Sequence, residues 1–112
     1  MLNTQRLAVF RELAERRSFT AAADALSYTQ SAVSQQISAL ERETGAILIE
    51  RDRKGTRLTQ AGEILLAHAD AILGRMGQAE RDLSAYLGAR SGRLRLAAFE
   101  SAGAALVPAA VR

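Results

Sequence analysis

The side chains with most to offer chemically lie in one short run, Gln30-Ser31-Ala32-Val33-Ser34-Gln35-Gln36-Ile37-Ser38. Wound as a helix at about 100° per residue, the run puts Val33, Ile37 and Leu40 on one face. Ser31, Gln35, Ser38 and Arg42 fall nearly opposite, with Ser34 flanking them and Gln30 in the first turn. The apolar face must pack inward, so the Ser/Gln face looks out. Ser forms helix less readily than the Lys and Glu of an ordinary solvated face, so such a surface is slightly costly unless it is used. Gln can pair with adenine at two atoms, and Ser can exchange a hydrogen bond with a base edge or a phosphate oxygen. Small side chains would also let the helix backbone sit deep in a major groove. The alternative is an unremarkable surface helix.

Bond-making chemistry has few candidates. His68 is the only histidine and there is no cysteine. His68 and Asp70 stand two apart on a helical segment and face different ways, so they make no nucleophile–base relay. No Gly-rich phosphate loop or metal-ligand spacing occurs. The sequence therefore predicts no catalytic residue, no metal and no cofactor. The absence of cysteine excludes disulfides and is compatible with a reducing cytoplasm.

These side chains need elements to hold them. Helical periodicity runs from Thr4 to Arg16, with Leu7, Phe10, Leu13 and Ala14 as the buried stripe. Ser18 or Thr20 caps a short second helix that turns Ala22, Ala23 and Leu26 inward. Leu26-Ser27-Tyr28-Thr29 is a turn, and Thr29 caps a third helix, about Gln30 to Glu43, that Gly45 ends. Two helices on a tight turn, the second polar outward, match a helix-turn-helix reader of duplex DNA.

After Gly45 the period changes. Ile47-Leu48-Ile49 and Thr56-Arg57-Leu58 are β-prone, and Asp52-Arg53-Lys54-Gly55 between them reads as a turn. A hairpin directly after a reading helix is a wing. Four of the seven residues from Arg51 to Arg57 are basic, and Arg53 and Lys54 would lie at the tip, against the DNA backbone or in the neighbouring minor groove. Arg51 either joins them or anchors the hairpin through a salt bridge to Glu50 or Glu43. Net charge is +3 with a pI near 10.2, a mild excess consistent with a polyanionic partner.

Thr59 opens a long helix expected to reach about Leu87. Along it Leu65, Ala69, Ile72, Met76, Ala79, Leu83 and Tyr86 alternate in steps of four and three, a coiled-coil seam held for about three heptads. The alternative is a helix packed on its own domain. A core built from residues 4–58 is too small to cover a helix of about 28 residues, roughly 42 Å long, which favours a partner helix. Arg93 to Ala97 resembles the start of a strand, and Ser101 to Val111 a helix broken near Pro108. No stretch approaches the roughly 20 apolar residues of a membrane span, so no membrane partner is expected, and the amino terminus lacks a secretory pattern.

Ser18-Phe19-Thr20, Ala22-Ala23, Leu26, Gln30-Ser31-Ala32-Val33-Ser34, Gln36-Ile37 and Leu40-Glu41 resemble the signature of LysR-type transcriptional regulators. So do Gly45, Leu48, Arg51, Leu58-Thr59 and Ala61-Gly62. The match runs over nearly all of residues 2–87 without insertions. Thr44, where the pattern usually has Leu, and Ile49, where it usually has Phe, depart from it under the wing.

The resemblance implies a mainly α fold: a winged helix-turn-helix of three helices and a two-stranded wing over 2–59, and a linker and dimerisation helix over 60–88. Residues 92–112 would begin a periplasmic-binding-protein-like effector domain. It implies that Gln30, Ser31, Ser34 and Gln35 approach bases or phosphates, that Thr20 and Gln36 touch the backbone, and that Gln35 sets which sequence is read. Linker helices of the family pair antiparallel, so a homodimer on an interrupted palindrome is expected. Ser101 matches a position that often helps bind a small-molecule inducer. With the rest of that pocket absent from this sequence, inducer binding is expected only of a full-length form. A non-DNA-binding module that keeps only the coiled coil is the rival reading; the Ser/Gln face and basic tip argue against it.

Overall fold

A computed structural model describes the backbone of residues 1–106 and the side chains of residues 1–90. Its elements, in chain order, are α1 (Thr4–Arg16), α2 (Phe19–Leu26), α3 (Gln30–Thr44), β1 (Ile49–Asp52), β2 (Gly55–Leu58) and α4 (Gln60–Leu106). This is the expected winged helix-turn-helix order. Residues 1–73 form one compact unit; a second begins at Gly74.

Local chemistry sets the helix ends. The Asn3 side chain accepts from the Arg6 N–H at 3.1 Å, Ser18 from Ala21 at 3.1 Å, and Thr29 from Ala32 at 3.0 Å. Each satisfies one of the amides a helix start leaves unpaired. Ser18, then, caps α2, and Thr20 lies inside it. Arg17, Ser27 and Gly45 end α1, α2 and α3 in the left-handed region, at φ 59°, 58° and 74°. Gly takes that conformation freely, whereas Arg and Ser do so at some cost.

The core of the first unit gathers Leu7, Val9, Phe10 and Leu13 of α1, Phe19, Ala22 and Ala23 of α2, and Val33, Ile37 and Leu40 of α3. Leu48 and Ala69 complete it. Val9 was not in the expected stripe. Helix α1 packs against α2, α3 and β2, so its buried arc is wider than a one-sided helix needs. Phe10, fully buried, stabilises the fold by about 1.5–3 kcal/mol through the apolar surface it removes from water.

The wing pairs Ile49 with Leu58, Glu50 with Arg57, Arg51 with Thr56 and Asp52 with Gly55, antiparallel. Its first strand starts two residues later than the β-prone run suggested, because Ile47 and Leu48 are tied to the flanking helices. The Thr59 hydroxyl donates to the Ile47 carbonyl at 2.6 Å, the Thr59 N–H donates to the Leu48 carbonyl at 3.0 Å, and the Leu48 N–H donates to the Glu41 carboxylate at 2.9 Å. Thr59 also caps α4, accepting from the Gly62 N–H at 3.0 Å. Gly62 allows this approach: a Cβ there would collide with the Leu48 carbonyl oxygen.

Helix α4 departs from expectation twice. Ala69, expected on the partner seam, is buried in the core of its own unit, with Leu65 partly buried against it. The backbone also stays helical through Arg93–Ala97, where a strand was expected. A strand needs a partner for its N–H and C=O groups, and the described residues supply none; a helix pairs them internally, and Leu, Arg and Ala favour it. For Ser101 only the helical backbone is described, and the expected break at Pro108 lies outside the described residues.

Candidate nucleic-acid interface

The outer face of α3 is open. Gln30, Ser31, Gln35 and Ser38 are exposed and Ser34 is half-buried, while Val33, Ile37 and Leu40 on the other side are at most 4% exposed. None of the five polar side chains hydrogen-bonds to another described residue, so their donors and acceptors stand available. Thr20, exposed in the first turn of α2, accompanies them.

Two residues of α1 steady this surface. Arg6 donates from Nε to the Gln36 side-chain oxygen at 3.1 Å and pairs with Glu43 through its terminal nitrogen. Gln5 donates from Nε2 to the Tyr28 hydroxyl at 3.1 Å, pinning the turn before α3. The Gln36 oxygen is therefore engaged from the α1 side, and its amide hydrogens have no partner among the described residues. The sequence alone marks neither Arg6 nor Gln5, since nothing local flags a residue whose partners are 23 to 37 positions away.

At the far end of α3 the wing is fastened by Glu41. One oxygen of its carboxylate accepts from the Leu48 and Ile49 amides, at 2.9 and 3.3 Å. Glu41 belongs to the family-like signature, which by itself gives it no role. Its visible signal was an acid four residues ahead of the helix-ending Gly45.

Arg53 and Lys54 form the two-residue turn at the wing tip. Both are exposed, and neither is ion-paired among the described residues. The Asp52 carboxylate accepts from the Lys54 N–H at 2.8 Å, which shapes the turn. Arg57 lies across the ladder and bridges both acids, Glu50 at 3.2 Å and Asp52 at 3.4 Å. Neither acid is then left to neutralise the tip. Among the described residues Arg51 makes neither of the expected salt bridges: Glu50 holds Arg57 and Glu43 holds Arg6. Arg51 lies instead over the Phe19 ring, 3.9 Å from its centroid.

Along α4, Ile72, Met76, Leu83 and Tyr86 are 37%, 41%, 61% and 56% exposed, and Ala79 is exposed as well. The expected seam thus divides: Ala69 and, in part, Leu65 serve the first unit's core, and among the described residues nothing covers the seam positions from Ile72 onward. Among the described residues no helix is long and apolar enough to cross a membrane.

Residues 4–63 match the family described as bacterial regulatory helix-turn-helix protein, lysR family. Over 97 residues the chain is 40% identical to the HTH-type transcriptional regulator PtxR of Pseudomonas aeruginosa, covering 87% of this chain and 31% of that protein. The chain spans roughly a third of the length of the curated relatives it matches. Among solved structures, the DNA-binding domain of CbnR in complex with DNA is 33% identical, with a TM-score of 0.70 over 76% of this chain and 98% of that one. The DNA-binding domain of BenM with catB site 1 DNA is 32% identical, with a TM-score of 0.71 over 82% and 99%. The winged fold, the open Ser/Gln face and these likenesses agree: the chain belongs to the lysR family of regulatory helix-turn-helix proteins, and its helix-turn-helix is of that family's DNA-binding, transcription-regulating kind.

Proposed function

We propose that the chain binds duplex DNA sequence-specifically as a homodimer and so serves as the operator-reading part of a transcriptional regulator. Helix α3 enters the major groove, with Gln30, Ser31, Ser34, Gln35 and Ser38 toward bases and phosphates and Thr20 toward the backbone. Gln35, exposed and without a hydrogen-bond partner, sets which base is preferred. Arg53 and Lys54 at the wing tip lie at the minor groove or the backbone. The observation that carries this reading is the juxtaposition of an unoccupied Ser/Gln hydrogen-bonding helix face with a cationic turn whose Arg53 and Lys54 pair with no acid among the described residues. That two structural neighbours were solved on DNA supports it.

Dimerisation through α4 brings two reading helices to one duplex, and the site is accordingly an interrupted palindrome. The pairing surface is Ile72, Met76, Ala79 and Leu83, continuing to Tyr86; Ala69 is excluded by its burial. Residues 92–112 correspond to the opening of an effector domain, with Ser101 at a position that would help bind an inducer in a full-length form. The work is done in the cytoplasm, without a catalytic step.

Selection of bound duplexes from a random pool, followed by fluorescence anisotropy on the winner at several salt concentrations, tests the proposal. The expected result is a site with two-fold symmetry and an affinity that falls steeply with salt. Recovery of no enriched sequence would refute it.

A further inference from the structure

Among the described residues, Arg51 is the basic residue of the wing strands that no ion pair takes up. Its neighbours Glu50 and Asp52 both hold Arg57 on the opposite strand. Its guanidinium instead stacks on Phe19, 3.9 Å from the ring centroid. Phe19 opens α2, is 7% exposed and immediately precedes Thr20. The hairpin is tied on its other strand too: Thr56, the ladder partner of Arg51, donates its N–H to the carbonyl of Arg17 at 3.4 Å. One strand is thus fixed to the end of α1 and the other to the start of α2. Only Arg53 and Lys54 lie beyond β1 before the chain turns back.

We infer that Arg51 is a positioning residue, which clasps the wing to α2 through Phe19 and fixes where Arg53 and Lys54 meet DNA, rather than a phosphate ligand. A guanidinium stacks well on an aromatic face because it is planar and weakly hydrated. Holding the wing before binding removes an ordering cost that a loose hairpin would meet on contact. The inference rests on the DNA-binding reading above.

A clasp and a phosphate contact respond differently to salt. Each phosphate neutralised adds about 0.9 to the slope of log K against log salt. For a clasp, Arg51→Met and Phe19→Leu both weaken binding with the slope unchanged. The double variant is then weaker than either single by less than the product, the shortfall being about two- to five-fold. Phe19→Tyr, which keeps the ring, restores binding. In the free protein, NMR shows the Arg51 Hδ protons shifted upfield by the ring in the parent and in Phe19→Tyr. Arg51→Met and the parent spectrum need no change at the buried Phe19, so they decide the matter even where Phe19→Leu does not fold.

Two results overturn the clasp: a slope lowered by about 0.9 in Arg51→Met, as for a lost phosphate contact, or no upfield shift in the parent. If the parent binds no selected duplex, the DNA-binding reading fails instead, and the NMR experiment still judges the clasp.

Discussion

Replacing Glu41 by Ala asks whether one carboxylate holds the wing to α3. It accepts from the Leu48 N–H at 2.9 Å and from the Ile49 N–H at 3.3 Å. Leu48 is 1% exposed and Glu41 half-buried, so water reaches these amides poorly once the acceptor is gone. A hydrogen bond to a charged group contributes about 1.5–3 kcal/mol. The shorter bond has good geometry and the longer one adds little, and partial exposure discounts both. The expected loss is about 2 kcal/mol, a fall in Tm of roughly 8–16 °C for a domain of this size. Glu41→Gln keeps a neutral acceptor and should lose about half as much. Urea and thermal unfolding followed by circular dichroism would measure it, at one fixed protomer concentration because the proposed dimerisation would make apparent stability concentration-dependent. An Ala variant within about 0.5 kcal/mol of the parent would refute the reasoning, since water would then be serving both amides.

Gly62→Ala should destabilise by about 1–3 kcal/mol, because the added carbon collides with the backbone carbonyl of Leu48, which cannot swing aside as a side chain can; unfolding midpoints no lower than the parent's would contradict this. Ile72→Asp with Met76→Asp should give monomers by analytical ultracentrifugation where the parent is expected to sediment as the proposed dimer, with much weaker operator binding; monomers that bind as tightly as the parent would break the proposed link. Lys54→Gln should lower the salt slope by about 0.9 without changing the selected sequence. Gln35→Ala should do the reverse, relaxing preference at one base in each half-site by about 1–3 kcal/mol, and selection on each variant separates the two.

What was legible in the sequence followed the range of the interactions involved. Thr29, Gly45 and Thr59 announce helix ends because a cap bonds to amides or carbonyls within four residues of itself. The same local logic could not choose between Ser18 and Thr20. Ile47 and Leu48 looked like strand because they are β-prone, yet Thr59 and Glu41, 7 to 12 residues away, occupy their backbone groups. Periodicity gave the apolar face of α4 without revealing what covers it, so Ala69 was assigned to a partner although its own unit buries it. Arg93-Leu94-Arg95-Leu96 alternates as a strand does, but alternation is no substitute for a neighbouring strand. Of the candidate site, the Ser/Gln face of α3 and the basic tip were readable from spacing. The stacking of Arg51 on Phe19 joins residues 32 positions apart, which no local pattern records.

The bond from Arg6 to Gln36 gives that amide a handedness. With its oxygen held from the α1 side, rotating the group by half a turn would set its NH2 against the guanidinium N–H, donor facing donor. The Gln36 NH2 is therefore turned from the guanidinium and left free to meet an oxygen lone pair, so a residue near the start of the chain fixes which end of an amide two helices later is held and which is spare.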